Sequence, residues 1–210
     1  MAIFDDFISG YNRFREHDWI EKKTQWEAAA KGQSPKVMVI ACSDSRVDPA
    51  TIFDTSPGEV FVVRNVANLV PPFETGGGQH GVSAALEFAV TQLKVQEIVV
   101  IGHGSCGGVG ASVSQQFNEA PPGEGGFVSD WISLLDEARD RVVAEHGTGQ
   151  EAKDALELEG VRTSLKNLMT FPFVQKAVEA GELKLHGAWF GIAGGKLLVL
   201  DPETNEFAPA

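Results

Sequence analysis

Three stretches of the chain are apolar at every position: Val37 to Ala41, Val60 to Val63 and Ile98 to Ile101. A strand with one wet face alternates apolar and polar residues, so unbroken runs predict short strands covered on both faces, as in a parallel sheet. Helical spacing fills the intervals. One pattern runs from Gly81 to Leu93, a second from Gly107 to Gln116, and others cover 128 to 145 and 151 to 169, with Pro172 opening a short helix to Glu179. Leu183 to Phe190 and Lys196 to Leu200 flank Ala193-Gly194-Gly195 and read as a strand with its hairpin partner. The expected fold is α/β: a single domain over 1–210 with a mostly parallel central sheet, an antiparallel edge strand and helices on both faces. The stretch Gly76-Gly77-Gly78-Gln79 reads as a loose turn before its helix.

Residues 1–31 form a helical arm in this reading. Phe4, Phe7, Tyr11, Phe14, Trp19, Ile20 and Trp26 recur at helical spacing among charges, with breaks expected at Gly10 and His17-Asp18. The arm precedes the first strand, so its aromatics need cover from the body of the domain or from a partner subunit. Their density favours packing on the partner.

Composition narrows the function classes. With 210 residues and 43% hydrophobic content the chain builds one full core, and a net charge of −12 argues against nucleic acid or an anionic membrane as partner. No apolar run approaches a membrane span, and Met1-Ala2-Ile3-Phe4-Asp5-Asp6 lacks a basic region followed by an apolar one, so a cytoplasmic location is expected. The two cysteines are then more at home on a metal than in a disulfide.

Those cysteines follow strand ends. Cys42-Ser43-Asp44-Ser45-Arg46 follows the first apolar run, and His103-Gly104-Ser105-Cys106-Gly107-Gly108 follows the third. Each residue alone has a plain reading, a small core cysteine or a hydrogen-bonding histidine. Together, Cys42, His103 and Cys106 at one edge of a parallel sheet make a three-ligand zinc site with a fourth position left for water. The segment Gly102 to Gly107 also fits the G-x-G-x-x-G dinucleotide fingerprint, which would make the protein an oxidoreductase. That reading requires a second strand ending in an acidic residue after the helix, and a loop at 120 to 126 stands there instead. Asp44 and Arg46 read either as a helix cap before Val47-Asp48-Pro49 or as a dyad in which the guanidinium keeps the carboxylate off the metal and free to accept a hydrogen bond from water.

Taken with Arg64-Asn65-Val66-Ala67-Asn68, these motifs resemble the β-class carbonic anhydrases, and the similarity runs from about Gln33 to Phe190. The resemblance implies zinc on Cys42, His103 and Cys106, Asp44 and Arg46 as the catalytic dyad, and reversible hydration of carbon dioxide to bicarbonate by a zinc-bound hydroxide. It also implies a homodimer as the minimal unit, with tetramers or larger assemblies open. Thiolates donate more charge to zinc than imidazoles do, so hydroxide should dominate at mildly alkaline pH.

The same resemblance assigns substrate contacts. Gln33 matches the plant-like branch, where this glutamine donates to substrate oxygen across the dimer interface. Phe61, Val66 and Phe88 match its apolar pocket, and the backbone N–H of Gly107 is placed to bind a bicarbonate oxygen. The bicarbonate-regulated branch carries a tryptophan three residues before the first cysteine ligand; Val39 stands there, so the open, plant-like arrangement is expected. Arg64 is shared by both branches and is expected to hold structure near the dimer interface. His80, His146 and His186 are candidate proton carriers, with His80 the best placed. Two alternatives remain at this point: a carbonyl sulfide or carbon disulfide hydrolase on the same scaffold, and a structural zinc protein with Asp44 as fourth ligand.

Overall fold

A computed structural model describes residues 3–76 and 78–210. The first two positions of the expected arm and the middle glycine of the Gly76–Gly78 turn lie outside the described residues. Six strands form one sheet: β1 (Val37–Cys42), β2 (Val60–Asn65), β3 (Glu97–His103), β4 (Lys184–Gly191), β5 (Lys196–Leu200) and β6 (Phe207–Pro209), in the order β2-β1-β3-β4-β5-β6. The first four are mutually parallel; β5 and β6 are antiparallel additions, so a short further strand extends the expected antiparallel edge.

The helices are α1 (Ile3–Glu16), α2 (Asp18–Glu21), α3 (Lys23–Ala29), α4 (Pro49–Ile52), α5 (Gly81–Glu87), α6 (Gly107–Ser114), α7 (Gly126–Ile132), α8 (Asp136–His146), α9 (Gln150–Leu168) and α10 (Pro172–Glu179). Their faces follow the period of two along the central strands. Met38 and Ile40 of β1 join Ile98 and Val100 of β3 beneath Leu86, Val161 and Phe171. Val39 and Ala41 point the other way, with Ile101 and Ala188, against Ile52 and Phe53. Each fully buried Val, Ile, Leu, Met or Phe among them contributes roughly 1.5–3 kcal/mol, so the two middle strands hold the sheet edge that follows them.

The longest helix, α9, lies directly on β3 and β4 because glycines remove the obstacle. A Cβ at Gly102 would meet Val161 Cγ2 at 2.9 Å, and one at Gly187 would meet Val161 Cγ1 at 2.9 Å and Leu165 Cδ1 at 3.0 Å. The close approach puts this helix under the end of β3.

Several local expectations change. The 81–93 pattern is α-helical only to Glu87 and continues as a π-helical stretch to Leu93, where Lys94 stops it in the left-handed region at φ 56°. The 128–145 pattern divides into α7 and α8 across a 3₁₀ turn at Ser133–Leu135. Gly10 does not break α1, since one glycine costs a helix only about 1 kcal/mol; the break comes at His17. β2 is half-buried instead of covered on both faces, because it is the edge strand and Val62 faces outward.

Candidate metal centre

β1 and β3 are adjacent and parallel, so their carboxyl ends, Cys42 and His103, emerge side by side. Beyond His103 the chain reverses through Gly104 and Ser105, the latter in the left-handed region at φ 58°, and Cys106 stands at the N-cap of α6. This tight return brings the second cysteine back over the first. The sulfurs lie 3.9 Å apart, and the sulfurs and a ring nitrogen of His103 all fall within 4.8 Å of one another. All three residues are buried, His103 to 1% exposure.

The donor set fits zinc. His103 Nδ1 donates to the Gly104 carbonyl at 3.0 Å, which fixes the tautomer of the neutral ring and leaves a lone pair on Nε2; Nε2 is buried and has no hydrogen-bond partner among the described residues. Two sulfurs at about 2.3 Å from a tetrahedral ion would sit about 3.8 Å apart, close to the separation found. Electrostatics within the metal-free cluster agree. A hydrogen bond from Cys106 is the main cause that pulls the Cys42 thiol down to about 4, against burial and with help from His103. The Cys106 thiol is pushed up because it donates that bond and would otherwise be a second buried anion. Burial works against a charged imidazole, yet the Cys42 thiolate outweighs it and holds the His103 pKa above its ordinary value. Protons held on Cys106 and His103 thus offset the Cys42 thiolate where a dication would satisfy all three groups together.

Asp44 lies outside this donor set and is held by Arg46. Its Oδ1 accepts from the backbone N–H and the Nε of Arg46, both at 2.9 Å, and its Oδ2 accepts from Arg46 Nη2 at 2.7 Å. The fork-shaped pairing holds the Asp44 carboxyl well below the usual carboxylate range. Arg46 Nη2 also donates to the Ser105 carbonyl at 3.1 Å, linking the dyad to the second ligand turn. The capping alternative for Asp44 fails: Asp48 caps α4, its Oδ1 accepting from the N–H groups of Ala50 and Thr51 at 3.0 and 3.2 Å. Arg64 closes the loop from the other side, donating to the carbonyls of Cys42 (2.8 Å) and Asp44 (2.6 Å) and to Asp48 Oδ2 (3.0 Å).

Sequence reasoning passed over two supporting residues, Glu157 and Trp189. Glu157 is 3% exposed; its Oε1 accepts from the Cys106 N–H and its Oε2 from the Trp189 indole N–H, both at 3.0 Å. Burial pushes its carboxyl up against the pull of those donors. The signal was present in the helical register, since Glu157 shares the buried stripe of α9 with Val161, Ser164 and Leu168. An acid on an apolar stripe is the informative exception.

The substrate residues divide. Val66 stands beside the ligand turn: a Cβ on Gly108 would meet its Cγ1 at 2.6 Å, and its carbonyl accepts from Trp131 Nε1 at 2.8 Å. A cavity of about 640 Å³ lined by Asn65, Val66, His80, Phe127 and Trp131 opens next to it. Gly107 begins α6 with nothing within 4 Å of where a Cβ would be. Phe61 is paired in register with Met38, four residues before the Cys42–Asn65 pair and so about 13 Å down the strands. Its ring lies 5.9 Å from that of Phe88, which is 45% exposed. Gln33 lies in the exposed link before β1. None of these three belongs to the pocket beside its own chain's cysteines. Among the histidines only His80 lines the cavity, with Nε2 3.2 Å from the Gly76 carbonyl; His146 lies by Glu151 and His186 by Glu97.

Comparison with known proteins agrees with the geometry. A family model described as carbonic anhydrase matches residues 37–197. Beta carbonic anhydrase 6, mitochondrial, of Arabidopsis thaliana is 35% identical over 193 residues, 91% of this chain, and the chain spans 65% of that relative's length. The solved β-carbonic anhydrase CcaA superposes with a TM-score of 0.92 at 31% identity, both chains being covered in full. A structure of tetrameric β-carbonic anhydrases from Sordaria macrospora superposes with a TM-score of 0.79 at 28% identity, over 95% of this chain and 98% of the other. With two thiols and an imidazole converging at the edge of the sheet these relatives share, the chain belongs to the β-carbonic anhydrase family.

Proposed function

We propose that the chain catalyses the reversible hydration of carbon dioxide, with zinc held by Cys42 Sγ, Cys106 Sγ and His103 Nε2. The observation that carries this reading is the three-membered donor set itself: of the carboxylates beside it, Asp44 is occupied by Arg46 and Glu157 by the N–H groups of Cys106 and Trp189, so the protein supplies three ligands and not four. That arrangement disfavours a purely structural zinc, which takes four protein ligands. Zinc bound there supplies Lewis acidity that makes water a nucleophile without strong base.

The chain's own groups do the positioning. Asp44, kept ionised by Arg46, retains acceptor capacity for a proton of the attacking water and so turns its lone pair toward substrate. Val66 lines an apolar surface suited to a substrate without charge or dipole. The Gly107 N–H, at the positive end of α6, stabilises an oxygen of the product anion. Water oxygen bonds to the carbon, bicarbonate leaves, and the water proton passes to solvent and buffer, with His80 the best-placed side chain to help. Gln33, Phe61 and Phe88 serve the site of a second copy, which makes the homodimer the minimal active unit. Residues 1–31 clasp that copy. The free thiols suit a reducing compartment such as the cytoplasm; among the described residues no helix is long and apolar enough to cross a membrane.

Metal analysis combined with stopped-flow hydration of carbon dioxide tests the reading. About one zinc per chain and activity lost on stripping and restored by zinc are expected. Undiminished activity in metal-free protein, or a metallated protein that hydrates no carbon dioxide, would overturn it.

A further inference from the structure

The carboxylate of Glu157 is buried with no Lys or Arg within ion-pairing distance among the described residues. Such burial is costly, and a sequence under no other demand would place leucine there, as it does at the neighbouring buried position Leu156. Each of its oxygens instead takes one N–H. Oε1 takes the backbone N–H of Cys106, and Oε2 takes the indole N–H of Trp189 near the end of β4. Both side-chain oxygens are therefore acceptors, each committed to a different element of the fold.

Both partners are themselves fixed. Trp189 is wedged against two glycines: a Cβ at Gly104 would meet its Cζ2 at 3.1 Å, and one at Gly191 would meet its Cζ3 at 3.0 Å. Glu157 stands on α9 at the helix's closest approach to β3, where a Cβ on Gly102 would lie 3.4 Å from the Glu157 carbonyl. Three elements therefore meet at this carboxylate: α9, the end of β4 and the turn carrying Cys106. The turn includes Ser105 in the left-handed region, a conformation that a non-glycine residue holds only under constraint.

Resting on the metal centre proposed above, we infer that Glu157 is the positioning residue that sets Cys106 Sγ against Cys42 Sγ, with Trp189 locking the carboxylate in place. It touches no substrate. Its hydrogen bond runs to the backbone of a ligand, so its effect is on how well the thiolate pair is prearranged for a metal ion. Groups that orient metal ligands in this way typically contribute 10–100-fold in metal affinity.

The test reads metal binding directly, by competition of the full-length chain with a chelator for Zn²⁺, and by the thiolate-to-metal charge-transfer absorption of the Co²⁺-loaded protein. Glu157→Gln keeps the volume but sets an amide N–H against one of the two donors. It should bind zinc about 10–100-fold more weakly and shift or weaken the cobalt–thiolate bands. Glu157→Asp keeps the charge but is one methylene short of spanning both donors, and should fall between the two. Trp189→Phe, which spares the Cys106 contact, should weaken zinc binding by less, under about tenfold. Parental zinc affinity and unchanged cobalt bands in Glu157→Gln would overturn the inference; if that variant does not fold, parental values in both Glu157→Asp and Trp189→Phe would do so. Failure of the unsubstituted chain to bind zinc, or cobalt binding without thiolate bands, would instead refute the metal centre.

Discussion

The carboxyl ends of β1 and β3 and the outer surfaces of α1 and of the edge strand β2 differ in completeness. At the strand ends the groups around the three ligands find partners within one chain: Asp44 with Arg46, Arg64 with three acceptors, Glu157 with two donors. The outer surfaces are unfinished. Phe4 and Phe7 of α1 are 71% and 72% exposed, α1 buries no residue, and β2 leaves Val62 and the Phe61–Phe88 pair at its open edge. The metal-ligating half of the site is built by one chain, and in the function proposed above Gln33, Phe61 and Phe88 complete the apolar half of a second copy.

That division can be attacked from either side. The largest effect is expected from Cys42→Ser or Cys106→Ser, which should lose metal and activity together while the oligomeric state, measured by sedimentation, is kept; metal retained at parental affinity would break the assignment of the single-chain half. Next is Arg46→Ala, which frees Asp44. Hydration should fall on the order of 10²-fold or more as the carboxylate moves onto the metal or loses its orienting role. A structure of the zinc-loaded parent near neutral pH with an Asp44 oxygen about 2.2 Å from the ion would show instead that the closed arrangement is the resting one.

The two-chain half is tested on the arm. Replacing Phe4, Phe7 and Tyr11 together by Ser removes the exposed aromatic face of α1 and should weaken self-association by about 10²-fold or more, if these are the anchors of the interface. Activity should fall with dimer content across a dilution series while zinc stays bound; an active monomer would end the proposal that Gln33, Phe61 and Phe88 act across copies. Gln33→Ala should be milder, lowering kcat/KM about tenfold, the equivalent of one hydrogen bond to substrate, with zinc content unchanged. The smallest and most graded effect is in pH. The metal-free protein holds protons on His103 and Cys106 more tightly than free side chains do, and zinc must displace them. Apparent zinc affinity should therefore rise with pH through neutrality and fall on acidification, and calorimetry in buffers of different ionisation enthalpy should register proton release; pH-independent binding would contradict the ligand set.

Much of this was legible before any coordinates. Unbroken apolar runs predicted buried parallel strands because a strand covered on both faces has no reason to alternate, and β1 and β3 are that kind of strand. β2 reads the same way yet is half-buried, since the pattern records apolar character without saying that the strand will lie at the edge of the sheet. The 128–145 pattern looked continuous because periodicity survives a 3₁₀ turn at Ser133–Leu135. β6 is three residues long, too short for a pattern.

The sequence by itself determined the fold class, the motif order that marks the family, and the three metal-ligating residue types, because these depend on local periodicity and on side-chain chemistry that no packing alters. Only the tertiary structure decided that Asp48, and not Asp44, caps the helix, that Phe61 lies four residues down the strand from the cysteines, and that Glu157 reaches the Cys106 amide from a helix 51 positions further along the chain. Those are consequences of register and of how closely α9 approaches β3, quantities set by many contacts acting together and written at no single position.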